Sequence, residues 1–278
     1  MRLSTLHPAI YAFRVSELRL EREIADRRHH VPFAATQLAG DLPIALIHHH
    51  SILRRRLGET DSCLQETKIV NLRLAATTID RLVIGPGEVF SFWNRVGQPT
   101  EARGYEEGLV LHGGSVGSGI GGGLCQLSNL LYWMALHTPL DIVERHHHGF
   151  DPFPDVGRVL PFGSGATVFY NYGDLRLGNP TGQPFQLRTW VTEQHLRGAI
   201  TTDRPWPFRY HVEERNHGFH RASDGRLYRD NELWRRTLDR ATGTTVDLSL
   251  LTTNHAEVKY ALPDRPDPTD VRGPAVVA

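Results

Sequence analysis

The chain has 278 residues, enough for one large domain or two small ones with a buried apolar core, so its stability requires neither disulfides nor a metal. Lys and Arg together number 31, as do Asp and Glu, so a net charge of zero gives no attraction to nucleic acid or to an anionic membrane. The two cysteines, Cys63 and Cys125, are too few for the disulfide framework of a small secreted protein.

The N-terminal segment mixes Arg, Glu and His with scattered Leu and Ile. It contains no continuous apolar stretch followed by a small-residue cleavage site, so we expect no signal peptide. No later stretch is long and apolar enough to span a bilayer. We therefore expect a cytoplasmic protein without a membrane span. The run ELRLEREIADRRHH predicts a surface helix, to which the pattern assigns no function.

The run QETKIVNLRLAATTIDRLV predicts a buried helix, with Asp61 or Ser62 available as its cap. Its apolar residues at helical spacing are Ile69, Leu72, Ala76, Ile79 and Val83. The following Gly-Pro-Gly, residues 85–87, ends this pattern. The run EVFSFWNRV after it predicts a strand.

A glycine-rich segment, HGGSVGSGIGGG, is predicted to be a loop, and LCQLSNLLYWMALHT after it predicts a mostly buried helix. The apolar residues that recur at the helical period are Leu127, Leu130, Leu131 and Met134. Cys125 then lies in the first helical turn. The runs LDIVERHHHGF, ATVFYNYGDLRL and FQLRTWV predict strands of a sheet that follows this helix.

The remaining sequence is polar and predicts a hairpin with its turn at residues 239–243, followed by a loose Pro- and Asp-rich tail. These elements predict an α+β fold with a central, mostly antiparallel sheet packed against the buried Cys-bearing helix. The order of helix and strands is like that of papain-like and transglutaminase-like enzymes. We expect an N-terminal helical and loop extension, a core domain, a β-rich C-terminal extension and a flexible tail, at residues 1–64, 65–200, 201–262 and 263–278.

Cys125 is the candidate nucleophile. The unpaired N–H groups and the positive dipole end of a helix favour thiolate over thiol in the first turn. Gly121, Gly122 and Gly123 remove side chains just before it, so backbone N–H groups are available to a developing oxyanion. The helical count places Ser128 on the same, more polar face, together with Asn129 and Tyr132. Cys63 has no comparable surroundings and is expected to be an ordinary thiol.

A thiol nucleophile requires a base, and the next strand carries three adjacent histidines, residues 146–148. Strand alternation places His146 and His148 on one side and His147 on the other. We expect His148 to transfer protons, Asp174 or Asn171 to orient its imidazole, and Gln126 to add an amide donor.

Four alternatives stand beside this hypothesis. Free cysteines are often simply buried, so Cys125 is also compatible with a packing role. The triplets at residues 48–50 and 146–148, the second with Asp151 and Asp155, offer metal ligands. Adjacent histidines of a strand diverge, however, so we expect no metal and no cofactor. The glycine segment lacks the lysine and hydroxyl end of a phosphate-binding loop. Aromatic residues that suit either the core or a peptide or glycan groove are Trp93, Tyr105, Trp133, Tyr170, Tyr172 and Trp190.

Four runs carry a family resemblance: GEVFSFWNRVG, the GY of ARGYEEGLVLHGG, GIGGGLCQLSNLLYWMALHTPLDIVERHHHGFDPFPD, and FGSGATVFYNYGDLRLGNPT. Together, from about residue 69 to 191, they resemble the VanW family, whose members occur beside glycopeptide-resistance genes. The resemblance implies that one site contains Gly121, Gly122, Gly123, Cys125, Gln126, Glu144, Arg145, His148, Asp174 and Asn179. The chain departs from the family pattern at Gly165, where many members have Asp, and at Asn129, where many have Thr.

The leading hypothesis is an accessory protein of glycopeptide resistance and cell-envelope metabolism whose Cys125 thiol acts on an amide-bearing peptidoglycan precursor, as an amidase, peptidase or transferase. The rival is a non-catalytic binding or scaffold protein whose glycine-rich loop holds a cell-wall-related ligand. The sequence indicates no oligomeric state.

Overall fold

The computed structural model describes residues 8–54, 62–112, 115–147, 149–151 and 159–260. Its fold is α+β, with mostly antiparallel sheets. The helices of these residues are α1 (Pro8–Arg28), α2 (Ser62–Ile79), α3 (Phe92–Val96) and α4 (Cys125–Leu136). The predicted tail lies outside the described residues, and the four predicted segments stay a prediction.

The strands of the described residues follow α1. They are β1 (Ile44–Ile52), β2 (Leu82–Ile84), β3 (Val89–Ser91), β4 (Glu107–His112), β5 (Ser115–Ile120), β6 (Asp141–Glu144), β7 (Phe150–Asp151), β8 (Arg176–Gly178), β9 (Phe185–Val191), β10 (His195–Thr202), β11 (Phe208–Arg221), β12 (Leu227–Asp239) and β13 (Thr245–Val258).

The first sheet has the strand order β1-β10-β9-β2, and each neighbouring pair is antiparallel. Helix α2 packs against β9, and α4 packs against β10 and β1. Gly198 of β10 allows the close approach of α4, because a Cβ there would lie 2.6 Å from the Met134 methyl group. Both helices therefore pack their apolar sides against the first sheet.

The second sheet contains β11, β12 and β13 as long antiparallel neighbours, and β7 adds to β13 in parallel. The hairpin predicted around residues 239–243 joins β12 to β13, where the Asp239 carboxylate accepts from the backbone N–H groups of Ala241 and Thr242. The third sheet has the order β3-β8-β6. The fourth is the β4–β5 hairpin.

Several predicted elements have different bounds in the structure. The helix expected to continue to Val83 ends at Ile79, and Val83 lies on β2 because Arg81 takes a positive φ and turns the chain. The strand expected at EVFSFWNRV stops at Ser91, whose hydroxyl accepts from the Asn94 N–H and caps α3. The predicted cap Asp61 lies outside the described residues.

The glycine-rich segment is only partly a loop, since residues 115–120 form β5 and pair with β4. The strand expected at ATVFYNYGDLRL is interrupted by a turn in which the Tyr172 and Gly173 N–H groups bond to the Phe169 carbonyl. Only its last part becomes β8. The expected strand LDIVERHHHGF is likewise divided into β6 and β7.

The core lies between α2, α4 and the sheets. The apolar helical residues Ile69, Leu72, Ala76 and Ile79 are buried, as predicted. So are Leu127, Leu130, Leu131 and Met134. In the described part of the chain, no helix combines the length and apolar character that crossing a bilayer needs.

Candidate functional site

A cleft of about 860 Å³ opens beside the N-terminus of α4. Its walls come from β1, β5, the first turns of α4 and the segment 159–172, with Cys125, Gln126 and Asn129 on the helix side. Trp93, Tyr170 and Tyr172 are among its lining residues. From the sequence, these three residues suited either the core or a groove. A second depression of about 600 Å³ around Asp80 shares no lining residue with it. Residues of the sequence motif around Cys125 therefore line this cleft.

Cys125 is the first residue of α4, and its side chain is half-buried against the core. The thiol donates to the Val168 carbonyl, with 3.9 Å between Sγ and O. Burial raises the pKa of Cys125, and the carbonyl bond does not reverse this. Burial of the thiol therefore opposes the thiolate that the first turn of a helix was expected to favour.

The three glycines before α4 are required by packing within the chain. A Cβ on Gly122 would overlap the backbone of Gly108, and one on Gly123 would overlap the Lys68 side chain. A Cβ on Gly121 would lie 2.5 Å from Pro99. Gly121 and Gly123 also have positive φ angles, which L side chains rarely adopt.

Asn71 of α2 holds the glycine turn before α4 through hydrogen bonds. The sequence pattern did not predict this role. Its buried amide donates to the Glu106 and Gly122 carbonyls and accepts from the Glu106 N–H, at 2.9, 3.0 and 2.8 Å. An asparagine inside an amphipathic helix is the one signal that would have pointed to it.

Gln126 and Ser128 bond to neighbouring elements. The Gln126 amide donates to the Ser51 hydroxyl at 2.8 Å and to the Ile52 carbonyl at 2.9 Å, which ties α4 to β1 at the cleft wall. Ser128 is fully buried and donates to the Ala166 carbonyl at 2.6 Å. Ser128 therefore positions the segment opposite α4 and does not line the cleft.

The two departures from the family pattern are neighbours in space. The Asn129 side-chain oxygen accepts from the Ala166 N–H at 2.6 Å. A Cβ on Gly165 would lie 3.0 Å from that same oxygen. Both residues line the cleft. An acid at position 165 would therefore crowd Asn129, and the two differences are compatible with each other.

Glu144 is the centre of an ion-pair cluster beside the cleft. Its carboxylate accepts from both terminal nitrogens of Arg22, from His146 Nε2 at 2.8 Å and from the Asp174 N–H at 2.9 Å. Burial by itself would raise the pKa of Glu144, but the bonds from His146 and Arg22 outweigh it and lower the pKa to about 2. Glu144 is therefore ionised at neutral pH and holds an imidazole.

Asp174 is fully buried and bonds to three neighbouring elements. Its carboxylate accepts from the Ser91 hydroxyl, the Trp93 N–H and Arg176 Nε, at 2.6, 3.1 and 3.0 Å. It is not among the described residues that line the cleft. Its observed contacts join β3, α3 and β8, and its predicted role in orienting an imidazole stays a prediction.

Arg145 and Asn179 also bond within the chain. Arg145 donates to the Gly163 and Gly165 carbonyls, and its guanidinium lies over the Tyr132 ring. Asn179 is buried and donates to the Ile84 and Gln183 carbonyls. Arg145 thus fixes the loop that forms one wall of the cleft, while Asn179 fixes the turn after β8.

The predicted base, His148, lies outside the described residues. Of its neighbours, His146 forms a bridge to Thr167 and bonds to Glu144, whereas His147 is exposed. The imidazole that lines the cleft in the described chain is His49 of β1. Its ring centroid is 6.2 Å from that of Trp133.

Residues before position 64 contribute more to the cleft than their sequence indicates. Tyr11 and Arg19 of α1 line it, and Arg19 donates to the Tyr170 carbonyl at 2.8 Å. Lys68 of α2 also lines it and is buried. No local pattern marks Tyr11 and Arg19, because they reach the cleft only through packing of α1 on the core.

The predicted absence of a metal at the two histidine triplets stays a prediction, since His148 of the second triplet lies outside the described residues. The described group of His, Cys, Asp or Glu side chains that converges on one point consists of other residues, on the second sheet. Asp155, the proposed partner of the second triplet, lies outside the described residues.

The chain is similar in sequence to known proteins. The family described as VanW like protein matches residues 67–201. The vancomycin B-type resistance protein VanW of Enterococcus faecalis is 33% identical over 226 residues, which is 81% of this chain and 82% of that protein. The chain belongs to the VanW family. The uncharacterised protein YoaR of Bacillus subtilis is 35% identical over 121 residues, 42% of this chain and 37% of that protein. No solved structure matches the chain significantly.

The VanW match contains most of α2, the β4–β5 hairpin and α4, and therefore the glycine turn and Cys125. Helix α1 and strands β11, β12 and β13 lie outside it. In this VanW-family chain, the walls of the cleft thus combine family residues with residues such as Arg19 from outside the matched range.

Proposed function

We propose that this VanW-family chain is an accessory protein of glycopeptide resistance and cell-envelope metabolism that binds an amide-bearing peptidoglycan precursor in the cleft beside Cys125. The similarity to the Enterococcus faecalis protein over four fifths of both chains supports the resistance context. The observation that carries the binding role is the cleft itself. Its volume of about 860 Å³ lies within the range of small-molecule and peptide sites.

The chemistry of the cleft favours a ligand with a negative charge. The Lys and Arg side chains among its lining residues are Arg19 and Lys68, and no Asp or Glu of the described residues lines it. Trp93, Tyr170 and Leu160 supply apolar surface. A peptide with amide groups and a terminal carboxylate fits this combination, because apolar walls desolvate the ligand while a guanidinium pairs with the carboxylate.

A calorimetric titration tests the binding role. The probe is a nucleotide-linked muramyl pentapeptide, compared with the same compound carrying a C-terminal amide. We expect the carboxylate form to bind more tightly, and Arg19→Gln to weaken it by roughly tenfold, the loss of one charge-assisted hydrogen bond. Arg14→Gln is the matched control, since Arg14 is exposed on the same helix and pairs with Glu17. Equal binding of both compounds, or none, would contradict the proposal.

A second candidate function is thiol catalysis, favoured by the position of Cys125 at the start of α4 and at the cleft wall. Here the thiolate would attack an amide carbonyl, and backbone donors near Gly123 would hold the oxyanion. The amine leaves with a proton from His148, a thioester remains, and water then releases the acid. Asp174 would orient the base, in the element order of papain-like enzymes. The raised pKa of Cys125 makes this the second candidate.

Alkylation of Cys125 separates the two functions. A Cys63→Ser chain leaves one thiol, and its rate of reaction with iodoacetamide is measured against pH by mass spectrometry. The binding role predicts slow labelling with a midpoint above the ordinary thiol value of about 8.5. A midpoint well below that value, together with loss of precursor turnover in Cys125→Ser, would establish catalysis instead.

A cytoplasmic location is part of the proposal, because nucleotide-linked precursors are water-soluble. Cell fractionation followed by immunoblotting tests it. Recovery of the chain outside the cytoplasmic fraction would require a lipid-linked or assembled wall fragment as the ligand.

A further inference from the structure

Three side chains of the second sheet converge at its solvent face. His220 of β11 and His255 of β13 each place Nδ1 2.6 Å from a different carboxylate oxygen of Asp230, which lies on β12. One ligand atom from each of the three lies within 4.8 Å of the other two. Two imidazole nitrogens and one carboxylate oxygen therefore face a single point.

The register of the strands produces this convergence. Asp230 pairs directly with His255, and Tyr228, two residues earlier on β12, pairs with His220. His220 is thus a diagonal neighbour of Asp230, on the same face of the sheet. The alternate residues Arg229 and Asn231 point to the buried face. The site therefore lies on the open side of the sheet, and about half of each imidazole is exposed, 51% for His220 and 58% for His255.

Tyr228 holds both imidazoles in place. Its ring stacks on His255 with 4.7 Å between centroids and 10° between planes. It also stacks on His220, at 5.7 Å and 19°. Outer groups that fix the orientation of imidazole ligands increase metal affinity, and this stacking limits the rotation of both rings.

We propose that His220, Asp230 and His255 bind a divalent transition-metal ion of the zinc, copper and nickel group. Imidazole nitrogen with one carboxylate oxygen is a donor set that these ions prefer, and water completes the coordination. In the bound form, each imidazole carries its proton on Nε2 and donates its Nδ1 lone pair to the metal, and any proton displaced from Nδ1 goes to solvent.

The ion joins three consecutive strands of the second sheet. It links β11, β12 and β13 near the end of the sheet at which β7 pairs with β13 through Glu257 and Val258. A ligand that binds only the folded state raises its stability in proportion to the logarithm of ligand concentration over Kd. The site therefore crosslinks β11, β12 and β13, which lie outside the residues that match the VanW domain.

Metal titration of the full chain, without a polyhistidine tag, tests the site. We expect about one equivalent of Zn²⁺ per chain by calorimetry, a rise in Tm with Zn²⁺, and Cu²⁺ electron paramagnetic resonance with nitrogen coupling from two imidazoles. His255→Gln and Asp230→Asn are each expected to weaken Zn²⁺ binding by roughly tenfold or more, and His255→Gln leaves one coupled nitrogen.

The control is His50→Gln. His50 contacts His195, with 4.9 Å between ring centroids, so it represents an imidazole pair without the converging carboxylate. It is expected to leave affinity, Tm shift and nitrogen coupling unchanged. Circular dichroism verifies that each variant folds. Unchanged Zn²⁺ affinity in folded His255→Gln, or an equal loss in His50→Gln, would overturn the proposal. If the variants fail to fold, the number of coupled nitrogens in the unmodified chain decides, and fewer than two would overturn it.

Discussion

Glu144 connects three separate parts of the chain through one carboxylate. Arg22 comes from α1, His146 follows β6, and the Asp174 N–H precedes β8. The side chain is only 17% exposed, so solvent screens these interactions weakly. Its low pKa of about 2 means that the folded state binds a proton here less readily than the unfolded chain does.

We expect Glu144→Gln to lower the free energy of unfolding by about 3 kcal/mol at pH 7, which is the free energy equivalent of the shift from 4.5 to about 2. Because the folded pKa is depressed, this stabilisation is fully present above about pH 4.5 and is lost as the pH falls toward 2. Urea denaturation at pH 7, 4 and 2.5 measures it. The difference between the two chains is therefore expected to shrink as the pH falls.

The control is Glu17→Gln. Glu17 pairs with Arg14 on the surface of α1, where 45% of its side chain is exposed, so the change is expected to have almost no effect at any of these pH values. A difference between wild type and Glu144→Gln that stays constant from pH 7 to 2.5 would show that the carboxylate charge is not its source.

Among the elements, the turn between β5 and α4 depends most on sequence detail. The Gly122 backbone lies against Gly108 of β4, and its carbonyl accepts from the Asn71 amide. Gly117, in the middle of β5, has no such constraint, since a Cβ there would meet only Val110, at 3.9 Å. Packing therefore requires a glycine at position 122 but not at position 117.

We expect Gly122→Ala to reduce stability by roughly 3 kcal/mol, because the added methyl group meets backbone that cannot rotate away. Gly117→Ala is expected to change stability by less than about 1 kcal/mol. Urea denaturation of both variants, followed by tryptophan fluorescence, compares them. Equal effects in the two variants would mean that the Gly108 and Gly122 backbones are not in contact.

At the scale of the whole molecule, α1 belongs to the same folded unit as the VanW core. Arg176 donates to both oxygens of Asp26 at 2.6 and 2.7 Å, across 150 residues, and also to Asp174. Burial by itself lowers the pKa of Arg176, but the bonds to Asp26 and Asp174 more than offset this and raise it. The bidentate pair therefore couples α1 to β8.

We expect a double-mutant cycle of Asp26→Asn and Arg176→Gln to give a coupling free energy of about 1–3 kcal/mol, because the pair is bidentate and largely buried. Chemical denaturation of the four chains measures it. In the control cycle of Glu23→Gln and Arg27→Gln, an exposed pair of the same helix, the coupling is expected to be near zero. A vanishing coupling for Asp26 and Arg176 would mean that α1 is not docked on β8.

Local pattern predicted the two buried helices and the hairpin between β12 and β13, but it did not predict β1, β10 or β11. Apolar residues at the helical period identified the buried sides of α2 and α4, and turn residues identified the hairpin between β12 and β13. The motif around Cys125 is continuous in sequence, so the segment that forms much of the cleft was recognisable without a structure. The sequence pattern did not predict that α2 ends at Ile79 and β3 at Ser91, because a single turn or cap determines each of these ends.

What the sequence alone determined about this protein is its family, its α+β class and the segment that carries Cys125, since each depends on residues that are close together in the chain. Only the tertiary structure decided the direction of the Cys125 pKa, the contribution of Arg19 to the cleft, and the meeting of His220, Asp230 and His255. The physical reason is that desolvation and strand register depend on groups brought together from distant positions, which local periodicity does not encode.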